Sequence, residues 1–282
     1  MRMLFRAFVA PAVVIVLASS AGAEDFWGRK LPDQPVNFIF GYGSLINSGS
    51  REATAGEPIH AIPVRVSAAF GYIRCWNDRS PSGFTALGLR RPQPGENAMT
   101  INGVLYPVAG DNMAAFDARE TGYIRVEVPP DEIEALSWER PPETGNIWVY
   151  VPDVAGKPPG VGLPEPSAGF PMLESYIDVV IEGALEYGPD YAREVIETTK
   201  EWSAYWLNDR ELARRPWVFD KKYRAVDNLL STLAPHFADR LFPEQYAAKK
   251  LLGPQQPPVQ KLLGPQQTPA QKLLGPQQPP AQ

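Results

Sequence analysis

The alternation of apolar and polar positions predicts a strand-rich region followed by a helical one. Short apolar or alternating runs predict β-strands near residues 37–41, 61–76, 86–91, 101–108, 123–128 and 147–151. After Pro171 the apolar residues instead recur at intervals of three and four, as in Tyr176, Ile177, Val180 and Ile181, which is typical of an amphipathic helix. The pattern therefore predicts an α+β core followed by a helical extension.

Three more segments have helical character. We expect helices over about 111–119, 190–206 and 222–237, and Asp111 is a candidate N-cap because its side-chain oxygen can accept a first-turn amide. Residues 152–171 contain six prolines and four glycines, which predicts a loop and leaves room for that loop to act as a lid.

The first 23 residues have the composition of a targeting segment. Arg2 and Arg6 precede an uncharged, mainly apolar stretch of 11 residues, 7–17, and Ala21-Gly22-Ala23 offers a small-residue cleavage site. The stretch is short for a membrane span, so we expect a secretory signal peptide over residues 1–23, with an uncleaved anchor as the alternative. An exported protein with no membrane attachment after cleavage is predicted, most simply in a bacterial periplasm.

The last 33 residues, 250–282, repeat an 11-residue unit that begins at Lys250, Lys261 and Lys272. Each copy contains a glycine and two or three prolines, which forbid a continuous helix. The segment is expected to be a disordered tail, partly in polyproline II conformation. Recent duplication explains the repeats without a function; the alternative is that the tail binds an envelope partner.

Charge narrows the possible partners of the remaining 226 residues, 24–249, which we divide into a domain over 24–151 and an extension over 152–249. The formal net charge is −5 for the whole chain and −10 for this part, because the two ends contain five cations and no acidic side chain. Such an acidic domain is a poor ligand for nucleic acid or anionic lipid, so neither partner is expected.

Cysteine and histidine are too few for the common metal and redox motifs. Cys75 is the single cysteine, and it is expected in the core rather than as a reactive thiol. His60 and His236 are the only histidines and belong to no zinc-binding motif, so we predict no metal and no cofactor. Ser44 does not lie in a Gly-x-Ser-x-Gly elbow, which argues against a Ser-His-Asp triad.

The strand predicted over 37–41 ends in a loop, Gly41-Tyr42-Gly43-Ser44-Leu45. Glycine accepts backbone angles closed to other residues and allows a ligand to approach the main chain closely. Unpaired N–H groups in such a loop bind anions, so the segment predicts a cradle for a carboxylate or a phosphate. A tight turn between two core elements is the alternative.

A second segment, Arg119-Glu120-Thr121-Gly122-Tyr123, joins a predicted helix to a predicted strand. Glu120 falls at the junction, where its side chain can point into a cleft.

In their order and spacing, with 76 residues from Ser44 to Glu120, these segments resemble the γ-glutamylcyclotransferase-like family, including its ChaC-type members. The resemblance covers residues 36–151 and implies an α+β fold with a mixed, barrel-like sheet and flanking helices. It implies Glu120 as the catalytic acid and base, and a substrate site formed by Tyr42, Gly43, Ser44, Leu45 and Tyr123. ChaC-type proteins usually have a longer Gly-Gly-Tyr segment after the acidic residue, so the substrate stays open.

The reaction that the resemblance implies is metal-independent. The free α-amine of a small γ-glutamyl compound attacks its own γ-carbonyl, giving 5-oxoproline and a released amine. Because the attack is intramolecular, the protein needs only a carboxylate clamp, donors to the oxyanion and one proton-transferring group. Two alternatives remain: a binding protein that kept the pocket without the chemistry, and an envelope interaction protein that works through its repeat tail.

Some residues of the extension also have two interpretations. Arg210, Arg214 and Arg215 belong either to a solvated, ion-paired loop or to a site in which one of them binds a substrate carboxylate. Tyr176 and Trp202 are either core residues or site residues. The oligomeric state is not predicted.

Overall fold

A computed structural model describes residues 36–108, 112–212 and 223–251. The predicted signal peptide, Asp111, Arg214, Arg215 and the repeats beyond Leu251 lie outside these ranges. The strands are β1 (Asn37–Gly41), β2 (Ile62–Val66), β3 (Ile73–Ser80), β4 (Phe84–Arg90), β5 (Ile101–Val108), β6 (Tyr123–Glu127), β7 (Ile133–Ala135), β8 (Asn146–Pro152), β9 (Met172–Leu173) and β10 (Trp206–Leu207). The helices are α1 (Ser48–Ala55), α2 (Asn112–Arg119), α3 (Glu174–Leu185), α4 (Pro189–Glu197), α5 (Tyr223–Leu233) and α6 (Pro243–Leu251).

The main sheet has six strands in the order β6-β8-β1-β5-β2-β7. It is mixed, because β1 pairs parallel with β8 and antiparallel with β5. Phe38, Ile39 and Phe40 of β1 are fully buried, which explains their continuous apolar run. The α+β class is confirmed, and within the described residues the sheet is open, with β6 and β7 at its edges.

Strands β3 and β4 form a separate hairpin that packs beside the end of β8. A side chain at Gly88 would come within 2.5 Å of the Pro152 ring, so glycine permits this close approach. The register of the hairpin shifts between Trp76 and Asp78, which marks a β-bulge. The bulge lies close to the site described below.

The helical extension is part of the same core. Ile177, Val180, Ile181 and Ala184 of α3 belong to the buried cluster that also contains the apolar residues of β1. A methyl group at Gly183 would lie 2.4 Å from the Asn47 amide nitrogen, so α3 touches the start of α1 backbone to backbone.

Several predicted boundaries were wrong for identifiable reasons. The run over 61–76 is divided into β2 and β3 by a turn in which Gly71 has φ 79°. The helix predicted over 190–206 ends at Glu197, since Lys200 pairs with Cys75 and Trp206 pairs with Met172 as short strands.

The helix predicted over 222–237 is α5, which ends at Leu233, shortly before Pro235. Helix α1 was missed because only Ser50 and Arg51 are buried along it, so it has no apolar face. No helix among the described residues has the length and apolarity to cross a membrane.

Candidate active site

The loop after β1 depends on small residues at two positions. Neither Gly41 nor Gly43 has a positive φ, but Gly43, with φ −124° and ψ −128°, lies outside the α and β regions of backbone conformation. A side chain at Gly41 would lie 2.9 Å from Leu45 Cβ, and one at Gly43 would lie 3.3 Å from the Tyr176 hydroxyl. Small residues at both positions therefore also permit close packing of the loop.

Two buried arginines hold the carbonyl oxygens of this loop. Arg74 Nη1 donates to the Tyr42 carbonyl at 3.3 Å. Arg51 Nη1 donates to the carbonyls of Leu45 and Ile46 at 3.1 and 2.5 Å. These bonds tie the loop's acceptors to cations inside the protein, and they add positive charge beside the loop.

A third arginine connects the loop to the second sequence segment. Arg119 Nη2 donates to the hydroxyls of Ser44 at 3.0 Å and Ser50 at 2.8 Å, and Nη1 donates to the Ser50 carbonyl and to Thr54 Oγ1. Its Nε lies 3.1 Å from Oε1 of Glu120. Residues from three elements thus meet at one guanidinium.

The amide groups of the loop differ from its carbonyl groups. Ile46 N donates to the Gly43 carbonyl at 3.0 Å and Asn47 N to the Ser44 carbonyl at 3.3 Å. The amides of residues 42–45 donate to no acceptor within the described part of the chain. They therefore remain as donors for an anion.

A pocket lies between this loop and Glu120. Its cavity volume is about 30 Å³, and the whole space between its walls, open mouth included, is about 320 Å³. It is lined by Phe40, Gly41, Tyr42, Gly43, Ser44, Leu45, Leu87, Glu120, Tyr123, Tyr150 and Tyr176. All six residues assigned a site role from the sequence are on its wall, and no residue of the loop 152–171 is among them.

Glu120 is held at the end of α2. Its amide donates to the Phe116 carbonyl at 2.9 Å, and its carbonyl accepts from the Tyr123 amide at 3.0 Å. Its side chain is only 16% exposed. Burial raises the pKa of Glu120 above its ordinary value, and Arg119 opposes the rise. A raised pKa makes this carboxylate more basic than one in water.

Tyrosine side chains form much of the remaining wall. The Tyr42 hydroxyl donates to the Tyr150 carbonyl, and the Tyr123 hydroxyl donates to the Leu87 carbonyl, each at 2.8 Å. Burial raises the pKa of Tyr176 to about 12. These phenols are neutral and mostly fixed, so they surround Glu120 with a low-dielectric wall.

Two features of the site were not predicted from the sequence. Asp78 follows the bulge in β3, and burial raises its pKa to about 6, with a further increase from the charge of Glu120 and an opposing effect of Tyr123. No local motif marks it. Tyr176, for which core and site roles were both open, reaches the pocket from α3.

Arg210 is ion-paired, as in the first of its two interpretations, but it is partly buried rather than in a solvated loop. It lies in an ion-pair cluster, with Nε and Nη2 donating to Asp178 at 2.7 and 2.6 Å. The same Nη2 lies 2.7 Å from Asp227 and 3.2 Å from Glu174. It is not on the pocket wall, and the cluster connects α3 to α5.

Trp202 and Cys75 also lie away from the pocket wall. The ring of Trp202 packs edge-on against Trp76, with centroids 5.2 Å apart, and stacks on Trp206 at 5.4 Å. Cys75 is fully buried, and burial raises the pKa of its thiol, which agrees with a core role.

Solved structures of γ-glutamyl cyclotransferase-fold proteins are similar to this chain. A γ-glutamyl cyclotransferase is 14% identical and aligns over 56% of this chain and 85% of its own, with a TM-score of 0.38. A yeast γ-glutamyl cyclotransferase specific to glutathione is 15% identical over 72% of this chain and 99% of its own, with a TM-score of 0.34. An uncharacterised protein from Homo sapiens is 14% identical over 59% of this chain and 90% of its own, with a TM-score of 0.41.

No protein-family model matches the chain, and no curated protein does. The structural similarity concerns the fold of part of the chain. What the pocket does must follow from its own geometry.

Proposed function

We propose that this protein is a γ-glutamyl cyclotransferase that releases 5-oxoproline and an amine or amino acid from a small γ-glutamyl compound. One observation carries the proposal: the Gly41–Leu45 loop and the Glu120 side chain line the same pocket, although 76 residues separate Ser44 from Glu120. A carboxylate cradle and a basic carboxylate are two of the three things that the reaction needs, and donors to the oxyanion are the third.

The loop side of the pocket suits the α-carboxylate of the substrate. The amides of residues 42–45 can donate to it, and Arg51, Arg74 and Arg119 place positive charge around the loop. These local groups matter because residues 24–249 have a net charge of −10 and offer no general attraction for an anion.

The Glu120 side of the pocket suits the reacting amine. The α-amine nitrogen bonds to the γ-carbonyl carbon while Glu120 takes the amine proton. The bond from that carbon to the departing nitrogen then breaks, and Glu120 returns the proton to the leaving amine. Loop amides or the Tyr176 hydroxyl are candidate donors to the oxyanion that forms between the two steps.

The magnitudes are sufficient without a protein nucleophile. Effective molarities on the order of 10⁵–10⁸ M for oriented intramolecular reactions correspond to roughly 7–11 kcal/mol of the barrier. General acid–base catalysis contributes roughly another 10²–10⁴-fold. Replacing Glu120 should therefore cost about that last factor in kcat, while the loop still binds substrate.

The test is product analysis by mass spectrometry after the full chain is incubated with glutathione, γ-glutamyl amino acids and γ-glutamylamines. We expect 5-oxoproline from at least one of them and a kcat lowered ~10²–10⁴-fold in Glu120→Gln. Glu127→Gln is the matched control, because Glu127 is an exposed residue of the adjacent strand. Unchanged turnover in folded Glu120→Gln refutes the assigned role.

Binding without turnover would favour the alternative of a non-catalytic γ-glutamyl-binding protein. Isothermal titration with the same panel measures binding, and mass spectrometry of the same samples detects 5-oxoproline. A binding protein gives only the first signal, whereas the enzyme yields 5-oxoproline.

We also propose that the chain is exported and that residues 1–23 are removed. Expression of the full chain in a Gram-negative bacterium, followed by fractionation and N-terminal sequencing, should find a periplasmic protein that begins at Glu24. An intact Met1 in the cytosolic fraction would contradict this proposal.

A further inference from the structure

Arg119 contacts both sides of the pocket at once. All three of its guanidinium nitrogens are engaged: Nε with Glu120, Nη2 with Ser44 and Ser50, and Nη1 with Ser50 and Thr54. The loop and the acidic residue come from distant parts of the chain, and this one side chain joins them.

The end of α2 makes the contact possible. Side chains at adjacent positions in a continuous helix do not face each other, so Arg119 and Glu120 could not pair inside one. Helix α2 ends at Arg119, and the chain turns at Glu120, whose carbonyl accepts the Tyr123 amide. The turn allows the two neighbouring side chains to meet beside the pocket.

We propose that Arg119 is a positioning residue for the proposed reaction, and that it fixes the Glu120 carboxylate relative to the anion-binding loop. The inference rests on the proposed function. Arg119 itself is not on the pocket wall and acts through its two partners.

The geometry requires a guanidinium rather than any cation. A planar fork with five N–H donors can bind several oxygens in fixed directions, whereas the ammonium of lysine is a flexible point charge. Lysine at this position would retain the charge near Glu120 but could not engage Ser44, Ser50 and Thr54 together. Charge and geometry can therefore be separated by two substitutions.

Arg119 also stabilises the fold, because a cation in the last turn of a helix interacts favourably with the helix dipole. A loss of activity alone would not distinguish positioning from stability. The pH dependence of catalysis does, since burial raises the pKa of Glu120 and Arg119 lowers it.

The test compares kcat, KM and the pH profile of kcat/KM for wild type, Arg119→Lys and Arg119→Gln, with a γ-glutamyl compound that the wild type cyclises. We expect kcat to fall ~10²-fold in both variants, as for a catalytic group displaced by about 1 Å. The acidic limb should move to higher pH in Arg119→Gln and move less in Arg119→Lys. Circular dichroism and urea unfolding check that each variant is folded. If Arg119→Gln does not fold, the kinetics of Arg119→Lys test the inference.

Arg193→Gln is the control, because Arg193 also pairs with a glutamate, at 3.8 Å, but on the solvent-exposed side of α4. Its kinetics and pH profile should match the wild type. An active wild type together with a folded Arg119→Gln of unchanged kcat and unchanged acidic limb overturns this inference alone. A wild type that yields no 5-oxoproline from any compound overturns the proposed function, and the inference with it.

Discussion

Replacing Gly183 with alanine should destabilise the protein where α3 meets the start of α1. The added methyl carbon would lie 2.4 Å from Asn47 N, 2.5 Å from Asn47 Cα and 2.8 Å from Asn47 Cβ. Carbon atoms in contact prefer about 3.5–4.0 Å, so the overlap is about 1 Å. Asn47 cannot rotate away, because two of the three atoms are backbone and its side chain caps α1 by accepting from Ser50 N at 3.0 Å.

The expected magnitude is a balance of two terms. Overpacking a filled core costs roughly 1–3 kcal/mol, and we expect a cost of ~3 kcal/mol here because the contact is with rigid backbone. Alanine in place of glycine inside a helix stabilises the helix by ~1 kcal/mol. The free energy of unfolding should therefore fall by about 2 kcal/mol, which is roughly a 4–8 °C decrease in Tm for a domain of this size.

Urea and thermal unfolding, followed by circular dichroism, measure this change. The matched control is Gly49→Ala in α1, where the methyl group would meet only Asn47 Oδ1 at 3.4 Å, an ordinary contact. That variant should be as stable as wild type or up to ~1 kcal/mol more stable, since only the helix-propensity term remains. The packing argument is refuted if Gly183→Ala is as stable as the wild type.

Two further predictions concern buried charged groups. Burial raises the pKa of Asp78 from 3.8 to about 6, so its folded state retains a proton that the unfolded chain has lost, and stability should fall as pH rises from about 4 to 6. Between pH 4 and pH 7, the free energy of unfolding in urea should fall by about 2 kcal/mol less in Asp78→Asn than in the wild type. Equal falls in the two proteins would contradict this. Arg74 is fully buried and donates to Tyr42, Asn102, Val195 and the hydroxyls of two threonines, so Arg74→Met removes all of these bonds and should cost at least ~3 kcal/mol in urea unfolding. A loss below 1 kcal/mol would show that water or rearrangement replaces these bonds.

The residues of the two glycine-containing segments could be located from the sequence because each segment is local. A buried apolar strand, two small residues and a turn all leave a signal within eight positions, 38–45. The family resemblance carried by the order and spacing of the segments implied that Glu120 and the loop share one site, and both line the pocket. The α+β class followed in the same way from periodicity.

The tertiary structure decided how these segments are held. The three arginines that bind the loop are 5 to 75 positions from the oxygens they contact, and an arginine leaves no pattern in the chain that reveals its acceptor. The glycines also have a reason that the sequence does not show, because their neighbours Leu45 and Tyr176 are set by packing.

Packing between distant segments also explains the element boundaries that were predicted wrongly and the pocket residues that the sequence did not identify. The apolar spacing through Trp202 and Trp206 suits a helix, but Trp202 packs on Trp76 and stacks on Trp206, which lies in β10 paired with β9. Tyr176 has a helical spacing that leaves core and site roles both open, and it reaches the pocket from α3, whose Gly183 packs against Asn47 just after the loop. Local sequence encodes which groups the chain can offer, whereas contacts between distant segments set where those groups meet, since packing and burial depend on the whole fold.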